Sequence, residues 1–387
     1  MKDFINMAKL KIIRACTVSN SISFVDGMLP DLLGKYRVSI LASPGEYWDC
    51  IDKYGDRIGR IRIAMERHIS PLRDLRSLWR LIRAFRRERP DMVHSMTPKA
   101  GLLCMMAAWI CRVPVRIHTF TGLVFPTATG FTRRILMLTD RITCACATHI
   151  IPEGEGVRAD LLDNRITRKT IRVLGHGNCQ GIDLDRFNPE LPEVQTAAQK
   201  IRRPGVFTFI FIGRLVRDKG INELVDAFRR LNRENPATRL LLVGSYEPHL
   251  DPLDPETNAE IDRNPAIEAV GQQKDVRPWY AAADALVFPS YREGFPNVVI
   301  EAGAMGLPSV VTDINGSREI IIDNRNGIII PPRDPEALYQ AMERLLDDPT
   351  LHRRLSSEAR PLVASRYEQS YVRRCLMDFY QEIFNQL

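Results

Sequence analysis

The chain has 387 residues, 45% of them hydrophobic, which is enough apolar content for two domains with separate cores and no disulfide staples. Its eight cysteines are scattered, and the nearest pair, Cys144 and Cys146, has neither the spacing nor the histidine company of a zinc or redox motif. Residues 1–190 carry 30 Lys and Arg against 19 Asp and Glu, and residues 191–387 carry 24 against 28, so net charges of +11 and −4 put the basicity in the first half.

The cysteines therefore read as reduced core residues of a cytoplasmic protein. Met1 to Leu10 contains Lys2, Asp3 and Lys9 without an apolar block, which does not read as a signal peptide. The longest apolar run, Ala100 to Cys111, is too short to span a bilayer, so the expectation is a soluble or peripheral protein.

Along the chain, β-branched runs at Leu10–Ala15, Val38–Ala42, Ile61–Ala64, Met92–Met96 and Val115–Thr119 predict strands, with helical stretches between them. Between Arg67 and Arg89, Arg73, Arg76, Arg80, Arg83, Arg86 and Arg87 alternate at helical spacing with Leu72, Leu75, Leu78, Trp79, Ile82 and Phe85. This predicts a basic amphipathic helix. Two accounts fit it: an apolar stripe in the core with solvated arginines outside, or attraction of the arginine face to anionic lipid headgroups. Further strands are expected at His149–Ile151 and Ile171–Leu174, before a polar, Gly- and Pro-containing boundary at Gly175–Ala198.

The second half repeats the scheme, with strands at Phe207–Ile212, Leu240–Val243, Ile267–Val270, Ala285–Pro289, Ser309–Thr312 and Gly327–Ile330. Helices are expected at Ile221–Arg233, Pro335–Leu346, Leu351–Ser365 and Gln369–Phe384. The alternation implies an α/β fold of two doubly wound, Rossmann-like domains, 1–188 and 189–369, facing one cleft. Open parallel sheets bind ligands beyond the carboxyl ends of their strands, so the loops there are the places to look for chemistry.

After the first strand of the second half, Gly213-Arg214-Leu215-Val216-Arg217-Asp218-Lys219-Gly220 leads into a helix. Gly213 permits close backbone approach, Arg214 can grip phosphate oxygens in a fork, and Lys219 supplies a point charge. Pairing of these cations with Asp218 and Glu223 is the plainer alternative. Gln272, in Gly271-Gln272-Gln273-Lys274-Asp275, lies where a nucleobase edge would fall. Tyr291-Arg292-Glu293-Gly294-Phe295-Pro296-Asn297-Val298-Val299-Ile300-Glu301 then sets two carboxylates eight positions apart across a strand-to-helix turn. Anions favour the start of that helix, where N–H groups lack intrahelical partners. Backbone at Gly294, Phe295 and Val298 with the Asn297 side chain would hold a β-phosphate and sugar hydroxyls. Glu301, amid Val298, Val299, Ile300, Ala302 and Ala304, needs a hydroxyl or cation partner. Alternatively, Glu293 is solvated and Glu301 answers the helix dipole.

Together with Pro289-Ser290, Gly306-Leu307-Pro308, Gly316, Glu319 and Asn326-Gly327, these segments resemble, in order, the donor-domain signatures of the retaining GT-B glycosyltransferases that carry an E-x7-E motif, the family 4 type. In the first half, Asp91–Ser95 with Pro98–Gly101, His118-Thr119-Phe120-Thr121-Gly122 and Gly181-Ile182-Asp183 resemble bacterial members that extend polyprenyl-diphosphate-linked oligosaccharides for capsule, O-antigen or glycan assembly. The resemblance implies Arg214 and Lys219 on the donor diphosphate, Glu293 beside the donor sugar, Glu301 on the ribose, no metal or other cofactor, and a final helix, residues 370–387, returning to the first domain. It further implies a lipid-linked saccharide as acceptor. The expected donor is a UDP-linked hexose or N-acetylhexosamine, and the expected position is peripheral on the inner face of the cytoplasmic membrane, with Arg73, Arg76, Arg80, Arg83 and Arg87 of the basic helix on the membrane and acceptor face. The chain departs from the pattern at Thr121, where relatives have histidine, which makes His118 the candidate substitute. The Thr17–Asp26 loop also lacks paired glycines.

Two other classes compete. One is a glycogen-type synthase or epimerase of the same fold acting on a soluble substrate. The other is a nucleic-acid binder using the +11 half, against which stands the lack of exposed aromatic clusters or a recognisable RNA- or DNA-binding signature.

Overall fold

The computed structural model describes residues 9–66, 70–249 and 251–387, so Arg67 and, but for Lys9 and Leu10, the amino-terminal segment discussed above lie outside the described residues. The chain divides into two compact units, one running to Gly181 and including Ser370–Leu387, the other Ile182–Gln369. Residues 182–188 thus group with the second unit.

The first unit is a parallel sheet of β1 (Lys11–Ala15), β2 (Arg37–Ala42), β3 (Ile58–Arg62), β4 (Met92–Met96), β5 (Val115–Phe120) and β6 (His149–Pro152) in the order β3-β2-β1-β4-β5-β6. The second unit holds β7 (Phe207–Ile212), β8 (Thr238–Val243), β9 (Ile267–Gly271), β10 (Ala285–Phe288), β11 (Ser309–Thr312) and β12 (Gly327–Ile330), also parallel, in the order β12-β11-β10-β7-β8-β9. Each is the doubly wound Rossmann order, and the strand order reverses between β1 and β4 in one unit and between β7 and β10 in the other. Central strands such as β8 and β10 are buried along their whole length, which is why they read as unbroken apolar runs rather than alternating ones.

Three element assignments change. The third strand runs Ile58–Arg62 instead of Ile61–Ala64, because Gly59 and Arg60 join the ladder opposite Ser39 and Ile40 through backbone alone. Ile171–Leu174 forms no strand: β6 pairs only with β5, and Ile171 enters the core as a side chain without ladder partners. The expected Leu351–Ser365 helix extends over Pro349–Tyr367, since the Asp348 carboxylate accepts from the N–H groups of Thr350 at 3.0 Å and Leu351 at 2.9 Å.

The final helix, Gln369–Phe384, belongs to the first unit. Leu376, Met377, Phe379 and Ile383 pack with Ile12 and Ile117. A buried polar chain fixes its position: Arg14, 1% exposed, donates from Nη1 to the Tyr380 hydroxyl at 2.8 Å, that hydroxyl meets His94 Nδ1, and His94 Nε2 lies 2.7 Å from Thr119 Oγ1. Burial, with Arg14 nearby, holds the His94 pKa well below the ordinary histidine range. A neutral imidazole can therefore relay hydrogen bonds here without a charge of its own.

The basic helix forms as Pro71–Glu88, but its apolar residues do not make a single buried stripe. Leu81, Ala84 and Phe85 enter the core, whereas Leu72, Leu75 and Trp79 are 84%, 63% and 59% exposed. The reading that placed the whole stripe inside is corrected: the solvent face carries leucines and tryptophan as well as arginines.

Candidate active site

The switch point of the second unit brings the two sequence-distant motifs together. β7 and β10 are neighbours, so the turn after β7 and the loop after β10 leave the sheet side by side at its carboxyl edge. Gly220 makes the approach possible: it has φ 72°, and a Cβ there would come 2.1 Å from the Pro289 carbonyl oxygen. Only glycine adopts this backbone without strain and leaves that room.

Lys219 and Glu293 form an ion pair across this junction, each side chain 16% exposed. The Lys219 ammonium also lies 5.7 Å from the centroid of the Phe288 ring. Ser290, fully buried, stands within 2.9 Å of Glu293 Oε1, so its hydroxyl can orient the carboxylate; the Arg292 carbonyl at 3.2 Å competes for the same proton. Thr312 in turn donates to the Ser290 carbonyl, tying this loop to β11. The plainer pairing considered from sequence is not the one observed. Glu223 accepts from the Tyr291 hydroxyl, Asp218 faces Arg292 at 3.4 Å, and Arg214 meets Glu247 at 3.2 Å on a more exposed rim.

Beyond Glu293 the loop turns into the helix Asn297–Ala304, with Pro296 as its N-cap residue. Gly294 and Phe295 pass over Gly316, whose φ is 73°; a Cβ on Gly316 would lie 2.5 Å from the Gly294 oxygen and 2.7 Å from the Phe295 Cα. The Phe295 side chain is 6% exposed and packs edge-on against Tyr367 at 5.6 Å, which agrees with an expectation that concerned only its backbone. The ring anchors the loop, burial of such a ring being worth about 1.5–3 kcal/mol, and only its backbone is left to face a ligand. Asn297 and Val298 open the helix, and the Val298 carbonyl accepts from the Tyr280 hydroxyl at 3.1 Å.

Glu301 has the hydroxyl partner its apolar setting demands: Tyr280, 0% exposed, reaches Glu301 Oε2 at 3.1 Å. Burial pushes the Glu301 carboxyl above its ordinary range, with the Tyr280 hydrogen bond and the charge of Arg186 pulling it back. Gln272 is exposed in the loop after β9, at the same carboxyl edge of the sheet, and Gly213 follows β7 beside Gly244 of the next strand's turn.

His118 is not a catalytic substitute. It lies within β5, 1% exposed, with Nδ1 2.9 Å from Ser95 Oγ and its ring edge-on to Phe120 at 4.4 Å, and a Cβ on Gly101 would strike it. Burial lowers its pKa to about 3, so it is a neutral core residue. Thr121 follows β5 in a partly exposed loop, next to Gly122. At the switch point of the first unit the groups present are the hydroxyls of Thr17 and Thr97, 2.7 Å apart, with Thr97 held at φ 69° and Thr17 accepting from the Ala100 N–H at 3.1 Å. Neither threonine carries a sequence motif. The strained φ is visible only in the fold. Ser290 and Tyr280 were also missed: Ser290 sat inside a quoted motif without a role, and Tyr280 lies 21 positions from the carboxylate it serves.

Two doubly wound units of this kind have the GT-B architecture, and the second gathers cations and a carboxylate at its switch point. Residues 206–348 match the model described as "Glycosyl transferases group 1" and residues 33–177 the model "Glycosyl transferase 4-like domain". The chain belongs to this glycosyltransferase family. It is 31% identical over 368 residues, 95% of each chain, to the capsular polysaccharide biosynthesis glycosyltransferase CapM of Staphylococcus aureus. It is 26% identical, over 74% of each chain, to an Escherichia coli UDP-Gal:alpha-D-GlcNAc-diphosphoundecaprenol alpha-1,3-galactosyltransferase. Its fold matches that of Anabaena Alr3699/HepE, solved in complex with UDP, with a TM-score of 0.79 at 17% identity, covering 96% of this chain and 100% of the other. Among the described residues, no helix is long and apolar enough to cross a membrane.

Proposed function

We propose that the enzyme transfers a hexose or N-acetylhexosamine from a uridine diphosphate sugar to a saccharide carried on a polyprenyl diphosphate, with retention of anomeric configuration and without a metal ion, while peripheral on the inner face of the cytoplasmic membrane. The observation that carries the reading is the meeting of Lys219 and Glu293 where β7 and β10 part. A donor diphosphate seated there competes with Glu293 for the ammonium, and Arg214 supplies a second, forked cation from the rim.

As the bond between sugar and phosphate breaks, negative charge grows on the departing diphosphate, and these cations with the N–H groups at Asn297 and Val298 stabilise it. Interactions aimed at developing charge of this kind are worth about 3 kcal/mol each when removed singly. Glu293, released from Lys219 and held by Ser290, lies on the donor-sugar side. In front-face attack the acceptor hydroxyl adds to the face the phosphate leaves, and its proton passes to a phosphate oxygen. Glu301 accepts from a ribose hydroxyl, and Gln272 lies at the edge where the base would rest. The named activity of the Escherichia coli relative and the capsule role of CapM support the lipid-linked acceptor.

The test supplies UDP-sugars with a polyprenyl-diphosphate saccharide and follows acceptor-dependent release of UDP, the anomeric proton coupling of the product, and the effect of a chelator. Retained configuration and chelator-resistant turnover are expected. Inversion, a strict demand for a guanosine donor, or abolition by chelator overturns the corresponding part of the reading.

A further inference from the structure

β3 is an edge strand, and the basic helix Pro71–Glu88 runs beside it. Between them lies an open groove of about 660 Å³, its walls set by Arg60 and Arg62 on the strand and by Trp79, Arg80, Arg83 and Arg87 on the helix. Residues 79, 80, 83 and 87 recur at three- and four-residue spacing, so the helix presents them as one stripe. Residues 60 and 62 share a face of the strand.

Five guanidinium groups converge with little neutralisation. Arg60 has Asp52 at 2.9 Å and Arg87 has its neighbour Glu88 at 2.9 Å. Among the described residues Arg62, Arg80 and Arg83 have no carboxylate within ion-pair distance. Two are steadied by aromatic faces: Arg62 lies 5.2 Å from the Trp48 ring centroid, and Arg83 lies 5.5 Å from that of Trp79. Arginines held by stacking keep their N–H forks available, which suits a tetrahedral oxyanion better than a diffuse counterion cloud. The groove is also continuous with apolar surface, because Leu72, Leu75 and Trp79 follow one another at three- and four-residue steps along the same helix and are all exposed. A freely soluble phosphate compound would have no use for that stripe, whereas at a bilayer the leucines and indole enter the headgroup boundary and the arginines meet phosphates.

We propose that the groove between β3 and the Pro71–Glu88 helix is a seat for the phosphate of an anionic bilayer lipid, formed by Arg62, Arg80 and Arg83, with Leu72, Leu75 and Trp79 as the inserted edge. This deepens the peripheral-membrane part of the proposed function and rests on it. It differs from simple attraction of a basic helix to a negative surface, because the seat depends on guanidinium geometry as well as on charge.

Sedimentation with phosphatidylglycerol–phosphatidylcholine vesicles tests it on the full chain. Exchanging Arg62, Arg80 and Arg83 together for lysine preserves net charge and removes the forks; the expected loss of vesicle affinity is about tenfold, the part of binding that rests on forked hydrogen bonds rather than on charge. The matched exchange of Arg86, Arg89 and Arg112 for lysine is expected to change affinity less than twofold. Equal effects from the two triples, or none from either, mean a diffuse field and overturn the seat. Quenching of tryptophan fluorescence by millimolar inorganic phosphate at the affinity seen with vesicles would make it a soluble-phosphate site and overturn the lipid assignment. Binding of UDP by each variant, measured by calorimetry, separates the two readings: intact UDP binding with lost vesicle binding sustains the seat whether or not transfer activity follows the proposed function.

Discussion

Removing Lys219 tests the site most directly, because its pairing with Glu293 and its proposed role on the donor diphosphate predict two separable effects. Lys219 and Glu293 are each 16% exposed, between a fully buried pair, whose breakage costs about 3–5 kcal/mol, and a surface pair, worth less than about 1 kcal/mol. Lys219→Ala leaves Glu293 with the Ser290 hydroxyl at 2.9 Å, a single charge-assisted hydrogen bond worth about 1.5–3 kcal/mol that only partly offsets the lost cation. Folding stability should therefore fall by about 2 kcal/mol, and adding Glu293→Gln, which removes the uncompensated carboxylate, should restore about half of that. Catalysis should behave differently. If Lys219 meets the developing charge of the leaving diphosphate, kcat/KM falls about 10²–10³-fold in Lys219→Ala, and the second substitution cannot recover it. Urea unfolding and a nucleoside diphosphate release assay on parent, two single variants and the double variant give both cycles. Turnover of Lys219→Ala within threefold of the parent, or recovery of turnover in the double variant, would show the pair to be a structural clasp and would refute the reasoning.

Two further outcomes follow from packing and burial. Gly316→Ala places a methyl group 2.5 Å from the Gly294 oxygen at a φ of 73°, so the Glu293–Pro296 loop must move; calorimetry should find UDP bound at least tenfold more weakly, with stability down by about 1–2 kcal/mol, and unchanged UDP affinity would show that this loop does not touch the donor. Asp140, on the helix Gly130–Cys146, has its carboxyl pKa raised by burial to about 7. Its folded pKa lies above its unfolded value, so its contribution to stability is complete below about pH 4 and is lost as pH rises through 7, and Asp140→Asn should stabilise the protein at pH 8 by up to about 4 kcal/mol but by only about 1 kcal/mol at pH 4.5. Chemical denaturation at the two pH values checks this, and equal effects at both would rule out a buried, titrating carboxyl.

Much of the architecture was legible because parallel strands buried on both faces leave an unmistakable mark. Phe207–Ile212 and Ser309–Thr312 read correctly to the residue for that reason. Edge elements read worse. Ile58–Arg62 is held by a ladder on one side and contains Gly59 and Arg60, so its composition says little, while Ile171–Leu174 has strand composition but no strand to join. Of the site, the glutamates, Arg214 and Lys219 were legible from types and spacing within each segment. Their pairing was not, since Lys219 finds Glu293 only because β10 lies against β7 rather than against β9, and strand order is a property of the whole sheet.

The same distinction explains the misplacement of His118. A histidine two residues before Phe120 at a strand end looks like a group waiting for a substrate, and nothing local contradicts it. What decides its role is the partner each neighbouring element contributes: Gly101, small enough to admit the ring, Ser95 to satisfy Nδ1, and Phe120 to close it from water. Burial with a satisfied polar atom makes a histidine structural, whereas burial raises the Glu301 carboxyl above its ordinary range even with the Tyr280 hydroxyl beside it. Two polar residues that look alike in sequence thus part company through desolvation. The histidine is sealed as a neutral ring, and the carboxylate keeps one hydroxyl partner in a half-buried place one turn into its helix.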